Sequence, residues 1–357
     1  MNRIEKLMKA LPENADAAII TSDVNRRYFT GLGSSAGTLL AFRDAAYFII
    51  DFRYIEVAKA TVTGAEVILQ DKLYEQLGEL LKKHGARTVA IETGYLTVGE
   101  LDLYRTKLPD CEFSTDSALN DAILEMRSLK DESEIAAIRK AQSITDAAFL
   151  EILDFIKPGK TEKEIAAYLE YCMRRLGADG LAFETIAAGG PNSAMPHAVP
   201  GDRPLQQGDF FTMDYGAAWG GYCSDMTRTV AIGEPTDEMR KVYETVLAAQ
   251  LTGIGKAVAG VSCRAVDAAA RDLIYGAGYE GCFGHSLGHS VGIEIHELPG
   301  FSPSTDPGVT AREGMVITVE PGIYLEGRFG VRIEDMVWFS PDGTKDLTNS
   351  SKELIIL

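Results

Sequence analysis

Gly208-Asp209-Phe210-Phe211-Thr212-Met213-Asp214-Tyr215-Gly216 has a distant echo in Gly314-Met315-Val316-Ile317-Thr318-Val319-Glu320-Pro321-Gly322. Each reads as a strand entered and left through glycine. Residues two apart share a strand face, so Phe211, Met213 and Tyr215 form an apolar face while Thr212 and Asp214 form a polar one. In the echo, Thr318 and Glu320 share a face. Each strand is followed by another that bears a carboxylate, Asp225 after the first and Glu334 after the second. Four features matching in order point to an internal duplication. Helical patterns flank these strands. One begins near Ser133 and ends at Pro158-Gly159, and Thr161-Glu162-Lys163-Glu164 forms a capping box for a second that stops at Gly177. Two more are expected over about Asp237–Val258 and Arg264–Ala277. Helices segregated over antiparallel strands give an α+β domain.

Upstream the pattern differs. Ile4, Leu7, Met8 and Leu11 make one helical face, and apolar runs follow at Ala17–Thr21, Thr38–Phe42, Ala46–Ile50, Val67–Leu69 and Thr88–Ile91. The helical stretch Leu73–His84 lies among them. This predicts a smaller α/β domain with a mixed sheet. The pattern changes around Asn120–Lys130, which sets the expected domains at 1–125 and 126–357. A length of 357 residues agrees with two domains at about 150 residues each. Gly31-Leu32-Gly33 precedes a strand rather than a helix, so it is a turn and not a phosphate-binding loop.

Lysine and arginine number 35 against 52 acidic residues, a formal charge of −17. A field of that sign repels nucleic acid and anionic lipid, and no apolar run reaches the ~18 residues of a membrane span. Met1–Met8 shows helical spacing rather than a leader core. The five cysteines lack CxxC spacing, as expected of reduced thiols in a cytoplasmic protein.

Any one acid among Asp214, Asp225, Glu320 and Glu334 could be a solvated strand residue. Four on paired strands of apolar, β-branched sequence need a compensating cation or protons. Lysine is absent from these segments, and the available arginines are Arg228, Arg332 and Arg328. A metal site is the leading explanation. Of five histidines in the chain, His285, His289 and His296 fall in one glycine-flanked run, and His197 lies in the Gly189–Gly201 loop. His84, at a helix end, reads as a structural residue near the C-terminal dipole.

The run His285–Glu297 resembles the signature of the proline-specific branch of the pita-bread metallopeptidases, which holds Xaa-Pro aminopeptidases and prolidases. The likeness extends to Asp214-Tyr215-Gly216, Ser224–Thr229, Val319–Gly322 and Gly330–Asp335. The first third is similar to that branch's creatinase-like N-terminal domain, in Asn25–Gly31 and Asp51–Tyr54. The resemblance implies two divalent metal ions held by Asp214, Asp225, His289, Glu320 and Glu334, with Asp225 and Glu334 bridging. Four carboxylates and one imidazole favour manganese over zinc, with cobalt a competent substitute.

In the family mechanism the metals activate a shared water that attacks the carbonyl before proline, and Glu320 accepts its proton. His296 and His197 would polarise the carbonyl, steady the tetrahedral intermediate or assist the departing proline nitrogen, His285 would line the proline pocket, and Arg332 would orient a ligand carboxylate. The resemblance also implies a homodimer acting on proline-containing peptides. Metal-free creatinase-like chemistry, or a non-catalytic binding protein on this fold, would show eroded ligand positions, and none is eroded. Methionine aminopeptidases lack both this N-terminal domain and the His285–Glu297 pattern. Gly300, four residues after His296, offers no charge for the carboxylate of a dipeptide. That absence favours an aminopeptidase accepting longer peptides over a strict prolidase, unless Arg312 or Arg328 reaches the carboxylate instead.

Overall fold

Thr38–Phe42 and Ala46–Ile50 are buried at every position, so they read as unbroken apolar runs rather than alternating ones. In the computed structural model, which describes residues 1–357, they lie inside a six-stranded sheet in the first of two units, Met1–Arg127. The sheet order is Glu66–Leu69, Ala46–Ile50, Thr38–Phe42, Ala17–Ile20, Thr88–Ile91 and Glu112–Ser114. The Ala17–Ile20 strand pairs antiparallel with Thr38–Phe42 and parallel with Thr88–Ile91, so the sheet is mixed. Helices Asp23–Thr30 and Val98–Lys107 begin at side-chain caps from Ser22 and Thr97. His84 caps the Leu73–Lys83 helix, stacks on Phe42 with 4.0 Å between ring centroids, and lies 2.9 Å from the Tyr47 hydroxyl. It is structural, as expected.

The second unit, Ser128–Leu357, is an α+β fold of the pita-bread type. Helices Glu132–Phe155 and Glu162–Arg175 bury Ile144, Phe149, Ile152 and Leu169 against Phe211, Met213 and Tyr215, the apolar face read from the sequence. Helices Asp237–Lys256 and Cys263–Gly276 bury Val246 and Val266 with Ile317, Val319 and Val331. The Thr161 capping box forms, with Thr161 and Glu164 bonding reciprocally.

Both halves share one construction. Strand Phe210–Tyr215 pairs with Met226–Ala231, and the short pair Ala217–Trp219 and Tyr222–Cys223 is nested between them. Likewise Val316–Val319 pairs with Asp335–Ser340 around the nested pair Gly322–Leu325 and Phe329–Arg332. No helix is long and apolar enough to cross a membrane, and all five cysteines are free.

The nesting forces backbone to approach backbone at Gly216, where a Cβ would lie 1.8 Å from the Ser224 carbonyl oxygen. Gly216→Ala is therefore expected to destabilise the protein by about 1–3 kcal/mol, the usual range for overpacking. Urea denaturation checks this, and an unchanged midpoint would contradict it.

Candidate metal centre

Asp214 is the penultimate residue of its strand, and Asp225 immediately precedes Met226–Ala231. Glu320 immediately follows Val316–Val319, and Glu334 immediately precedes Asp335–Ser340. The four acids thus occupy matched strand ends in the two halves. His289 sits on the short strand Gly288–Ser290, which pairs with Val316–Val319 at Ser290 and Ile317. A chain of hydrogen bonds ties it to Glu320: the His289 N–H donates to Thr318 Oγ1 (3.0 Å), which donates to Glu320 Oε1 (3.1 Å).

His289 Nδ1 lies 3.2 Å from the Ser290 carbonyl oxygen. A carbonyl only accepts, so Nδ1 carries the proton and the lone pair is on Nε2. That lone pair lies 3.5 Å from Asp225 Oδ2 and 3.4 Å from Glu320 Oε1. Burial first, and then neighbouring His296, lower the His289 pKa to about 4, so the ring is neutral at pH 7. A neutral imidazole with its lone pair aimed at ionised carboxylate oxygens is repulsive unless a cation or a proton lies between them. Ligand atoms of Asp225, His289 and Glu334 fall within 4.8 Å of one another.

Burial, then the charges of Glu334 and Asp214, raises the Asp225 pKa well above its ordinary value. Burial, then Glu320 and Asp214, does the same to Glu334. Glu320 is pushed to about 8 chiefly by burial, against the opposing charge of Arg332. Arg332 is the one arginine engaged with this cluster. Its Nη2 donates to Asp214 Oδ2 (2.5 Å), its Nε to Thr227 Oγ1 (3.1 Å) and its Nη1 to the Tyr324 hydroxyl (2.8 Å). Thr227 Oγ1 in turn donates to Glu334 Oε2 at 2.6 Å. Asp214 Oδ1 is buried without a hydrogen-bond partner. An orphaned carboxylate oxygen among hard oxygen donors and one free imidazole nitrogen suits divalent cations.

Of the other arginines considered from sequence, Arg228 is buried but pairs with Asp335 and with carbonyls of Ser350 and Ser351. Arg328 pairs with Glu238 on the surface, and Arg312 bonds Ser128. None of these three lines the cavity at the cluster.

Tyr324 escaped the sequence reading. Arg332 donates to its hydroxyl, so the Tyr324 O–H is left to donate to His285 Nε2 at 2.9 Å. His285 Nδ1 then donates to the Ser286 carbonyl at 2.8 Å. Burial and Arg332 lower the His285 pKa to about 4, so this ring too is neutral. The available signal was a pair of glycines: a Cβ on Gly322 would meet the Tyr324 hydroxyl, and one on Gly330 would meet its ring at 2.9 Å. One cavity of about 1020 Å³ is lined by Asp214, Asp225, His289, Glu320 and Glu334, with Arg332, His197, His285 and His296 also on its walls.

Residues 136–341 match the model of metallopeptidase family M24, and residues 1–128 match the creatinase/prolidase N-terminal domain. The chain belongs to metallopeptidase family M24. It is 38% identical to a protein named Xaa-Pro dipeptidase from Pyrococcus furiosus, over 99% of each chain. An Xaa-Pro dipeptidase structure from Bacillus anthracis superposes with a TM-score of 0.95 at 40% identity, covering 99% of each chain. An X-Pro aminopeptidase structure from Thermotoga maritima gives 0.92 at 37% identity over all of both chains. As an M24 member the chain is a metallopeptidase, and the family implies divalent metal ions.

The carboxylate cluster makes metal-free stability depend on pH. Glu320 has a folded-state pKa of about 8 against an ordinary 4.5. A raised pKa means the folded state binds more protons, so its contribution is full below the unfolded value and is lost as pH rises through the folded one. His285 and His289, lowered to about 4 from an ordinary 6.5, act in the opposite sense below about pH 6.5. The melting temperature of chelator-treated protein is therefore expected to fall between about pH 6.5 and pH 8, with saturating divalent metal flattening the slope. An apo melting temperature that climbs across this window would contradict the cluster's electrostatics.

Proposed function

We propose that the protein hydrolyses the peptide bond between an N-terminal residue and proline, with two divalent ions held by Asp214, Asp225, His289, Glu320 and Glu334. The observation that carries this reading is the His289 Nε2 lone pair facing Asp225 and Glu320 at the wall of a peptide-sized cavity. Bound there, the ions would supply Lewis-acid polarisation of the scissile carbonyl and acidify a water molecule. The oxygen-rich donor set favours manganese over zinc.

The chain's own groups do the rest. Glu320 accepts the proton of the attacking water through a carboxylate oxygen. His296 and His197 donate to the oxyanion and to the departing proline nitrogen. His285 has both ring nitrogens engaged, by Tyr324 and by Ser286, so it serves as a neutral wall for the proline ring rather than as a donor. Arg332 holds Asp214 by one oxygen and leaves the other turned to the cluster. An Xaa-Pro bond has no N–H, so peptidases that grip that group fail on it and a dedicated pocket is required.

The dipeptidases among the relatives support Xaa-Pro dipeptidase activity over the aminopeptidase expected from Gly300. The geometry weakens the Gly300 argument as well. A Cβ there would lie 2.8 Å from the Gly288 carbonyl, so the close backbone approach favours glycine whatever the substrate length. A second reading, in which tripeptides are also accepted, draws on the cavity, whose volume of about 1020 Å³ lies at the upper end of small-ligand sites.

Asp225→Asn is expected to abolish hydrolysis of Xaa-Pro and to lower bound metal in elemental analysis, because a neutral amide bridges two cations poorly. Undiminished turnover by chelated, metal-stripped protein would refute the metal reading. Substrate length is settled by the ratio of kcat/KM for an Xaa-Pro dipeptide to that for the matching Xaa-Pro-Yaa tripeptide. The dipeptidase reading expects a ratio above about 10, more than 1.4 kcal/mol of discrimination, and a ratio below one would restore the aminopeptidase.

A further inference from the structure

Both ends of the loop that carries His197 rest on one buried carboxylate. Glu162 is fully buried at the first position of helix Glu162–Arg175. Its Oε1 accepts from the Gly189 N–H (2.8 Å) and from Asn192 Nδ2 (2.9 Å), and its Oε2 accepts from the Gly201 N–H (2.9 Å). The helix backbone joins in. The Lys163 N–H donates to the Gly201 carbonyl at 3.1 Å and the Glu162 N–H to the Arg203 carbonyl at 3.3 Å. These are first-turn donors that have no partner within the helix.

The side chain of Glu162 does not serve the helix itself, because Thr161 and Glu164 already form the cap. It serves the loop. Burying a carboxylate costs free energy unless its oxygens are paired, and here the donors come from the loop's two feet. Between those feet the loop touches the catalytic strands twice. Ser193 Oγ donates to the Gly190 carbonyl (2.6 Å) and accepts from the Gly330 N–H (2.9 Å), and Arg332 Nη1 donates to the Pro196 carbonyl (3.3 Å). The His197 ring lies exposed on the cavity wall.

We propose that Glu162 is a positioning residue for turnover, holding His197 at the cavity wall by clasping both feet of its loop. This rests on the proposed role of His197 at the tetrahedral centre. In Glu162→Gln one oxygen becomes an NH₂ group, and either orientation sets that group against an N–H donor it cannot accept from.

The test is a double-mutant cycle of Glu162→Gln and His197→Ala on the metal-loaded enzyme. It reads kcat and KM on an Xaa-Pro dipeptide, metal content by elemental analysis, and the melting temperature. His197→Ala is expected to lower kcat about 10²–10³-fold, the scale of a lost transition-state donor. Glu162→Gln should lower kcat by at least about ten-fold with bound metal unchanged, and in the His197→Ala background it should cost less than about two-fold more. Equal losses in both backgrounds, or full kcat in Glu162→Gln beside a slow His197→Ala, would overturn the proposal while leaving the role of His197 intact. Full kcat in His197→Ala would remove that role and the proposal with it. If Glu162→Gln does not fold, Asn192→Ala, which removes one of the three donors, decides in the same cycle. Its smaller loss must vanish when His197 is absent, and a loss that persists there overturns the proposal.

Discussion

Four carboxylates share one cavity wall with a single guanidinium, and much of the catalytic unit's design follows from that imbalance. In water such acids would part, but here their backbones are held by two strand pairs built to one plan. Each outer pair, Phe210–Tyr215 with Met226–Ala231 and Val316–Val319 with Asp335–Ser340, carries a nested hairpin. Each places one acid where a strand leaves the ladder and another where its partner enters. The apolar faces of these strands are buried against helices, so the strands cannot turn to carry the acids apart. Folding thus supplies the energy that concentrates the charge, and the raised pKa values of Asp225, Glu320 and Glu334 express how strongly the site favours a cation or protons.

This explains which parts were legible in the sequence. Period-two alternation along Phe210–Tyr215 gave both the core face and the polar face, because one side of the strand is dry and the other looks into the cavity. The Thr161 box and the buried runs Thr38–Phe42 and Ala46–Ile50 were equally readable, since capping and full burial leave local signatures. Strand Glu112–Ser114 was missed because three residues are too few to show a period. Helix Val98–Lys107 was missed because it buries little more than Tyr104 and so has no apolar stripe.

Side-chain partnership was legible only in part: Arg332 does hold a carboxylate of the cluster, as expected, but which one came from the structure. Arg228 and Arg332 are both strand arginines four or fewer residues from a site acid, yet Arg228 faces Asp335 and the C-terminal segment while Arg332 faces Asp214. Strand alternation separates them: Arg332 is two residues from Glu334 and shares its face, whereas Arg228 is three from Asp225 and does not. The register agrees, since Arg228 lies opposite Met213, on the face away from Asp214, whose cross-strand partner is Thr227. Tyr324 was not legible in this way, since its meaning comes from glycines on its own and the facing strand that only pairing brings beneath it.

The two central histidines show how one backbone device yields two chemistries. His285 and His289 each give Nδ1–H to the carbonyl of the following residue, Ser286 and Ser290, and each is kept neutral chiefly by burial. Both therefore present a lone pair on Nε2, and neither sequence position nor protonation state tells them apart. What differs is the group opposite. His289 faces carboxylates, which cannot donate when ionised, so its lone pair calls for a cation. His285 faces a tyrosine hydroxyl that Arg332 forces to donate, so its lone pair is already satisfied. Because Arg332 also holds Asp214, the same guanidinium that orients one carboxylate toward the cluster removes a competing nitrogen from it. Selection between otherwise equivalent imidazoles thus falls to a residue that touches only one of them, through a tyrosine, and the acids at the site can act as a set because of it.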